Sequence, residues 1–564
     1  MPEVSSTTGD PLAIAKIRRA EGMQQRRGTF ESHWEDLRLH FNPSGRPFNS
    51  MRTPGAKAAQ HLYDDTGVLA ARELASAFVA LTTNPATIWF NLTLADRDPD
   101  DEEAEWLEYA RDQMLAAFAS PKSRFTLSRY RKVREKIVYG TGVMAIFDRP
   151  GKLPLCKSIP LSEMLVEQDA EENIDTNYRW FQLSARLAYA EWGDAAGPKV
   201  VKAVKEEDGK RSEDLFRFLH ATEPRGKRDI SRYDGGNKPI ASCWINVDEK
   251  LTMKEHGYEE PPYITSPWDS DSGETYGRTP AMDVLPTVKL LQRIEKAGIQ
   301  SLELTIRPPL LAADDGVMSP ISLKQGAINT VRWDSMQGAG APVRPMLTGS
   351  RPDIAEEAME ARRARVRRGM LEGLFNFARD PRMTATQVIE IRGQVQQQTE
   401  PLLGFEQTGD LGPTIDRMFP VMQRAGLLYD FARWPEYGMP ESLLSGAEIK
   451  VEYQSPLFKA RNVDEARAMI EHVSAWQPLL GEDQQILSDN IDLDDVIRRS
   501  WMVLGAPRSL LRSIEQRDEM RKARAAEAQK AVELERAQAG ADTVHTAVNA
   551  AATAKEAFAP EEAA

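Results

Sequence analysis

Adjacent carboxylates stand at Asp64-Asp65 and Asp314-Asp315, and paired acids are the type of residue that holds a divalent cation through hard oxygens. Both pairs lie in turn-like sequence, where neighbouring acids are ordinarily solvated, so catalysis there is the weaker reading. A phosphate-gripping loop needs Gly-Lys-Ser/Thr, with the lysine on phosphate and the hydroxyl on magnesium. Here the Gly-Lys pairs are followed by Leu153, Arg211 and Arg228, which argues against an ATP-driven motor of that class. The 7 histidines are scattered, with no HExxH or i, i+4 zinc spacing, and the chain has no GxSxG elbow. Cys156 and Cys243 lack CxxC or Cys/His ligand spacing and read as buried, reduced thiols. No catalytic residue, cofactor site or metal site emerges, and the chain does not read as an enzyme.

The densest positive cluster is Arg362, Arg363, Arg365, Arg367 and Arg368. These positions point around most of a helix, so ion pairing with Glu356, Glu357, Glu360 and a neighbouring helix is the leading reading, and contact with DNA phosphates is the sharper one. Downstream, Arg379, Asp380 and Arg382 are mixed in sign, as suits either a weak, transient contact or an ordinary interhelical turn.

These residues belong to a central stretch, Thr279 to Thr386, that holds two long helical runs. The first opens at Thr279-Pro280, a capping hydroxyl before a proline at the first helical position, with Leu290, Ile294, Ala297, Ser301 and Leu304 as its stripe. Pro286 kinks its start, and Arg307-Pro308-Pro309 ends it. The second opens at Asp353 with a carboxylate at Glu356 and carries Met359, Val366, Met370, Gly373 and Phe377 on one stripe. Each would span about 35 to 40 Å at about 1.5 Å per residue. Between them Pro308 to Pro352 is rich in Pro and Gly and too polar to bury a core of its own. Thr384-Ala385-Thr386-Gln387 then restarts a helix.

Upstream, residues 1 to about 50 are expected to be helical, with Ile14, Ile17, Phe30, Trp34, Leu37 and Phe41 at helical spacing. A small-residue helix from Leu69 to Phe78, a strand near Ile88 to Leu92 and a helix from about Asp101 to Phe118 follow. From Gly140 the period changes to two. Strands are expected at Val143 to Phe147, Pro154 to Ile159, Met164 to Glu167, Tyr178 to Leu183, Leu215 to His220, Ala241 to Asn246 and Tyr263 to Trp268, with a charged loop within Lys199 to Tyr233. Helices from Gln387 to Leu403 and Pro413 to Phe431, a strand at Glu448 to Tyr453 and capped helices after Asn462 and Asp492 complete the pattern. Beyond about Ser513 the composition turns to Ala, Glu, Lys and Arg, which fits a helix in an assembly or a disordered tail equally.

The whole is 564 residues, 41% hydrophobic and 28% charged, as in a soluble multidomain α+β protein that is mainly helical. No apolar run reaches the roughly 18 to 20 residues of a membrane span, and the start has no apolar signal region, so the chain is expected to stay in the cytosol where it is made. A net charge of −13 and a pI near 5.3 argue against a protein that grips nucleic acid over its whole surface. They are compatible with one that lets DNA slide past.

Four stretches together carry a family resemblance: Tyr63-Asp64-Asp65-Thr66-Gly67, Thr82-Thr83-Asn84-Pro85 with Trp89-Phe90, Tyr276-Gly277-Arg278-Thr279-Pro280-Ala281-Met282, and Arg382-Met383-Thr384-Ala385-Thr386-Gln387-Val388. In their order and spacing the chain resembles the portal, or head-to-tail connector, proteins of short-tailed, T7-like bacteriophages, over roughly residues 10 to 515. The resemblance implies a ring subunit with a wing (1–279 and 387–455), a first stem helix (280–307), a clip (308–352), a second stem helix (353–376), a tunnel loop (377–386) and a crown (456–515), leaving 516–564 as the Ala/Glu-rich tail. Phe377, Ala378, Arg379, Asp380, Pro381, Arg382 and Met383 would then face DNA. Arg362, Arg363, Arg365, Arg367 and Arg368 would be channel or intersubunit charges, and Leu323, Lys324, Trp333, Met336 and Arg344 the clip docking surface.

The implied assembly is a homo-oligomeric ring, typically a dodecamer, at the portal vertex of the virion capsid. Its partners would be double-stranded DNA in the channel, the large terminase subunit, a tail adaptor, the major capsid and scaffolding proteins and internal core proteins, with no membrane and no cofactor. The genome would be packaged and later ejected through the ring. Two other readings stay open: a tail or internal-core structural protein, which would not need the helix-clip-helix-loop order, and a DNA-processing enzyme, which would need a metal or nucleotide site.

Overall fold

The computed structural model describes residues 9–50, 55, 57–97, 99–205, 211–229, 231–232, 234–313, 322–331, 343–346, 352–372, 402, 404–445, 448–453, 468, 471–472, 474, 492–503, 512, 516–531 and 546–550. The chain divides into two compact units, the first formed by Met1–Leu92, Leu107–Glu441 and Ile449–Ala460, the second by Thr93–Trp106, Ser442–Glu448 and Arg461–Ala564.

The first unit begins with helix α1 (Pro11–Phe41), whose leading amide is capped by the Asp10 carboxylate, 3.1 Å from the Leu12 nitrogen. α1 serves two cores. Its first half buries Ala13, Ile17, Ala20 and Met23 against a sheet, and its second half buries Trp34, Leu37 and Phe41 among helices. Helix α2 (Thr66–Thr82) sets Ala70, Ala71, Leu74, Ala75 and Phe78 into that helical core, its alanines allowing close approach. In chain order strand β1 (Phe90–Leu94) and helix α3 (Asp101–Ala119) follow, with Thr93–Trp106 counted in the second unit, then helix α4 (Phe125–Tyr139) of the first.

α4 is missing from the sequence expectation, which assigns no element between Phe118 and Gly140. In the structure Arg129, Lys132 and Lys136 are fully buried, and Val133, Ile137 and Val138 line the same core as α2.

Strands β2 (Thr141–Phe147), β3 (Leu155–Ile159), β4 (Met164–Gln168) and β5 (Ile174–Ser184) come next, then helices α5 (Ala185–Trp192) and α6 (Pro198–Lys205). Strands β6 (Leu215–Pro224), β7 (Ile240–Asn246), β8 (Leu251–Tyr258) and β9 (Tyr263–Pro267) complete the β-rich region. One antiparallel sheet has the order β3-β2-β9, another β4-β5-β6-β7-β8. The seven expected strands are all present with shifted ends. β8 was unforeseen, since Lys254, Glu255 and His256 interrupt its alternation, and α6 occupies part of the expected charged loop. Cys156 and Cys243 are free and buried, and burial pushes their thiols up to about 12 and about 11.

Helix α7 (Pro280–Ile306) runs unbroken past Pro286 and leads to strands β10 (Leu310–Ala313), β11 (Ile328–Val331) and β12 (Val343–Pro345). β10 lies between the other two, parallel to β11 and antiparallel to β12. Helix α8 (Pro352–Gly369) then packs along α7. It starts one residue before the expected Asp353 cap, and after Gly369 Leu371 takes φ 58° with its amide bonded to the Arg368 carbonyl; residues 373–376 of the expected second stem helix lie outside the described residues. A π-helical turn at Gln407–Leu411 opens helix α9 (Gly412–Arg424), and strand β13 (Ile449–Tyr453) follows.

The stripe expected on α7 is corrected by the packing. Ala281, Val284, Leu285, Val288 and Leu291 are the buried set, whereas Leu290 is 43% exposed. The helix is apolar on more than one side, and spacing alone cannot choose between the sides.

In the second unit, Glu103 pairs with Arg97 at 2.7 Å, a hydrogen bond that, with lesser help from its other partners, holds the carboxyl down at about 2 against burial. Helix α10 (Leu493–Val503) meets the helical residues 516–531 through Asp494, 2.7 Å from Arg521 and 3.1 Å from Arg517.

Candidate functional site

The α7–α8 pair is seated by the segment that precedes it. Tyr276 packs against Phe30 and Trp34, with ring centroids 5.4 and 4.9 Å apart. Gly277 and Gly140 lie backbone to backbone: a Cβ on either would overlap the other's carbonyl oxygen, and Gly140 has φ +87°. Glycine is required there on both counts. The Gly277 amide donates to the Thr141 hydroxyl at 2.9 Å, and the Gly140 carbonyl accepts from Trp268 at 2.7 Å. Thr279 does not cap α7 through its side chain, as the sequence suggested. Its hydroxyl donates to the Ile137 carbonyl, tying the helix start to α4 instead. At the end of α8, a Cβ on Gly369 would overlap Val284, so the helices touch closely at that turn.

The Tyr63-to-Gly67 stretch joins α2 to both long helices. Gln292 of α7 accepts from the Tyr63 and Asp64 amides at 2.7 and 3.1 Å and donates to the Asp64 carbonyl at 2.6 Å. The Asp64 carboxylate accepts from the Thr66 amide at 2.9 Å and from Arg363 of α8 at 2.8 Å. Asp64 is therefore a buried ion-pair partner, not the solvated turn acid expected from its neighbour Asp65. Asp314 and Asp315 lie outside the described residues.

The arginine run divides. Arg363 also reaches Glu295 at 3.3 Å, and its hydrogen bond to Asp64 raises its pKa further against partial burial. Arg367 pairs with Glu360 at 2.9 Å, and Arg362 donates to the Ala358 carbonyl of its own helix. Arg365 and Arg368 are exposed and pair with no carboxylate among the described residues.

A second charge constellation escaped sequence reasoning. Arg129 donates to Asp410 at 2.6 Å and to Glu406, Lys132 to Asp410 at 2.6 Å, and Lys136 to Glu406 at 2.7 Å. Ser266 adds a hydroxyl to Asp410 at 2.9 Å. All five charged side chains are at most 1% exposed. Burial by itself would raise the Asp410 pKa, but the charges of Arg129, Lys132 and Lys136 pull it well below the carboxylate range. Burial lowers Lys132 to about 8 despite its acidic partner. The cluster locks the π-helical entry of α9 to α4. The available clue was spacing: positions 129, 132 and 136 share one helical face, as do 406 and 410.

Of the expected contact residues, Phe377, Ala378, Arg379, Asp380, Pro381, Arg382 and Met383 lie outside the described residues, as do Trp333 and Met336. The restart at Thr384 to Gln387 lies outside as well. Leu323 and Lys324 are exposed ahead of β11, and Arg344 stands opposite Leu311 in the β10–β12 register.

With these elements in view, comparison with known proteins gives the class. The family described as bacteriophage head to tail connecting protein matches residues 15–511, and the chain belongs to that family. It is thus a structural connector of a phage particle rather than an enzyme. Two relatives span nearly its full length. A probable portal protein of Bordetella phage BPP-1 is 27% identical over 534 residues, covering 92% of each chain. The portal protein of Salmonella phage epsilon15 is 25% identical over 539 residues, covering 94% of each. Among solved structures, a chain from the virion of a native gene transfer agent particle superposes with a TM-score of 0.30 at 10% identity, over 80% of this chain and 96% of that one.

Proposed function

We propose that this connector is the portal subunit of its phage: it assembles as a closed ring at one capsid vertex, and the duplex genome enters and leaves through the channel. Family membership along nearly the whole chain is the observation that carries this reading. In the ring, α7 and α8 are the stem, the three strands between them belong to the clip, residues 377–386 form the tunnel loop, and 456–515 the crown. Residues 1–279 and 387–455 make the wing. A dodecamer served by a separate terminase, with a tail adaptor on the clip, is the specific form proposed.

Two features support the assignment physically. The far end of α7 exposes Ile299, Leu302 and Ile306, an apolar run that a neighbouring copy would cover. Of the arginine run, the exposed Arg365 and Arg368 remain for contact with passing phosphates or the next subunit, a sparse positive charge that avoids a salt-sensitive, many-phosphate grip.

Electron microscopy of the purified chain tests the reading. A rotationally symmetric ring with a channel wide enough for duplex DNA is expected. Monomers persisting at high concentration with scaffolding protein present would overturn it. Deleting Arg379 to Met383 should then leave rings intact while impairing DNA packaging or retention.

A further inference from the structure

An open cavity of about 750 Å³ lies in the first unit, between the loop that leads into α4 and the β2–β3 connection. Its lining includes Lys122, Arg124, Arg149 and Lys152, and no carboxylate is among the described lining residues. Arg149 is fixed in place, donating to the Leu153 carbonyl at 2.9 and 2.6 Å and to the Lys122 carbonyl at 3.0 Å. Those partners are neutral, and Arg149 pairs with no carboxylate among the described residues. Lys122, Arg124 and Lys152 are exposed and pair with no carboxylate among the described residues. Arg124 directly precedes α4, so the positive end of that helix dipole adds to the field. Such a cationic concentration in a chain of net charge −13 is a local exception.

The rest of the lining is apolar: Pro121, Leu153, Leu155 and Leu427. A site for bare phosphate would have no use for these apolar side chains, and a site for unpaired bases would present aromatic faces for stacking, of which the described lining has none. Three leucines beside four cations match a partner that brings carboxylates and a bulky apolar side chain together.

We propose that this cavity docks an acidic peptide segment, anchored by a leucine-like side chain, from another protein. The site does not depend on the portal reading, since it lies within one chain and needs neither a ring nor DNA.

The probe is a fluorescein-labelled peptide of glutamates around a central pair of leucines, followed by anisotropy with the full chain. Saturable binding is expected, weakened about tenfold or more by K122E/R124E/K152E and by raised salt. Replacing the peptide's leucines by serine should weaken it about tenfold. That comparison uses the unaltered protein and so does not depend on how the variant folds; K122Q/K152Q provides a milder second variant. Absence of saturable binding to the intact chain would overturn the proposal. So would equal binding of the serine peptide, or a duplex oligonucleotide that binds more tightly and loses its affinity in the same variants, which would reassign the site to nucleic acid.

Discussion

Asp410→Asn tests the buried charge cluster most directly. Arg129, Lys132 and Lys136 face Glu406 and Asp410, three cations against two carboxylates, all at most 1% exposed. The substitution keeps the side-chain shape but raises the net charge of the cluster from +1 to +2, and its amide nitrogen replaces an oxygen that accepted from a cation. A contact pair near the surface is worth about 4 kcal/mol at about 4 Å and an effective dielectric constant of about 20, and removing one partner of a buried pair costs about 3–5 kcal/mol. The loss expected is therefore about 3–5 kcal/mol, read from urea unfolding and calorimetry. Adding Lys132→Met returns the net charge to +1 and should recover a large part, with a coupling of about 2 kcal/mol or more.

The pH dependence follows with a definite sign. Lys132 has its folded pKa at about 8, below the usual 10.5, so above about 8 the native state has shed a proton that the unfolded chain still holds. This contribution to stability is present above about 10.5 and is lost as pH falls through about 8. At pH about 9.5 the wild-type cluster is close to neutral, and Asp410→Asn should cost less there than at pH about 7. A loss below about 1 kcal/mol at pH 7, or strict additivity of the two changes, would refute the electrostatic account.

Gly140→Ala should destabilise by about 2–4 kcal/mol, since φ +87° disfavours a side chain and the new methyl would overlap the Gly277 carbonyl; the urea midpoint reports it. Burial raises Glu135 to about 7 despite the Leu161 amide at 2.9 Å, so its favourable contribution is complete below about 4.5 and lost as pH rises through about 7. Glu135→Gln should therefore stabilise by about 1–3 kcal/mol at pH about 8 and be nearly neutral at pH about 5, measured as paired thermal melts. Arg363→Met leaves the buried Asp64 without its cation and should cost about 2–3 kcal/mol, whereas Arg365→Ala should stay within about 0.5 kcal/mol in the same denaturation assay.

Much of the secondary structure was legible in the sequence because its determinants are local. The proline at Pro280, the alternation from Gly140 onward and the helical spacing of Trp34, Leu37 and Phe41 act over a few residues, and the elements they specify are present. Motif order likewise carried the family resemblance, because it too is read along the chain without any knowledge of packing. Tertiary structure decided which faces are buried and which charges meet. α7 has apolar residues on several sides, and only contact with α1, α4 and α8 selects Val284, Leu285, Val288 and Leu291 over Leu290. α4 looks like a solvated cationic helix until Glu406 and Asp410, some 270 to 281 residues away, are brought inside against it. Asp64 looks like a turn acid until Arg363 arrives from α8. A buried charge is tolerated only beside its counter-charge, and for these residues that partner is distant in sequence, so no local pattern could announce it.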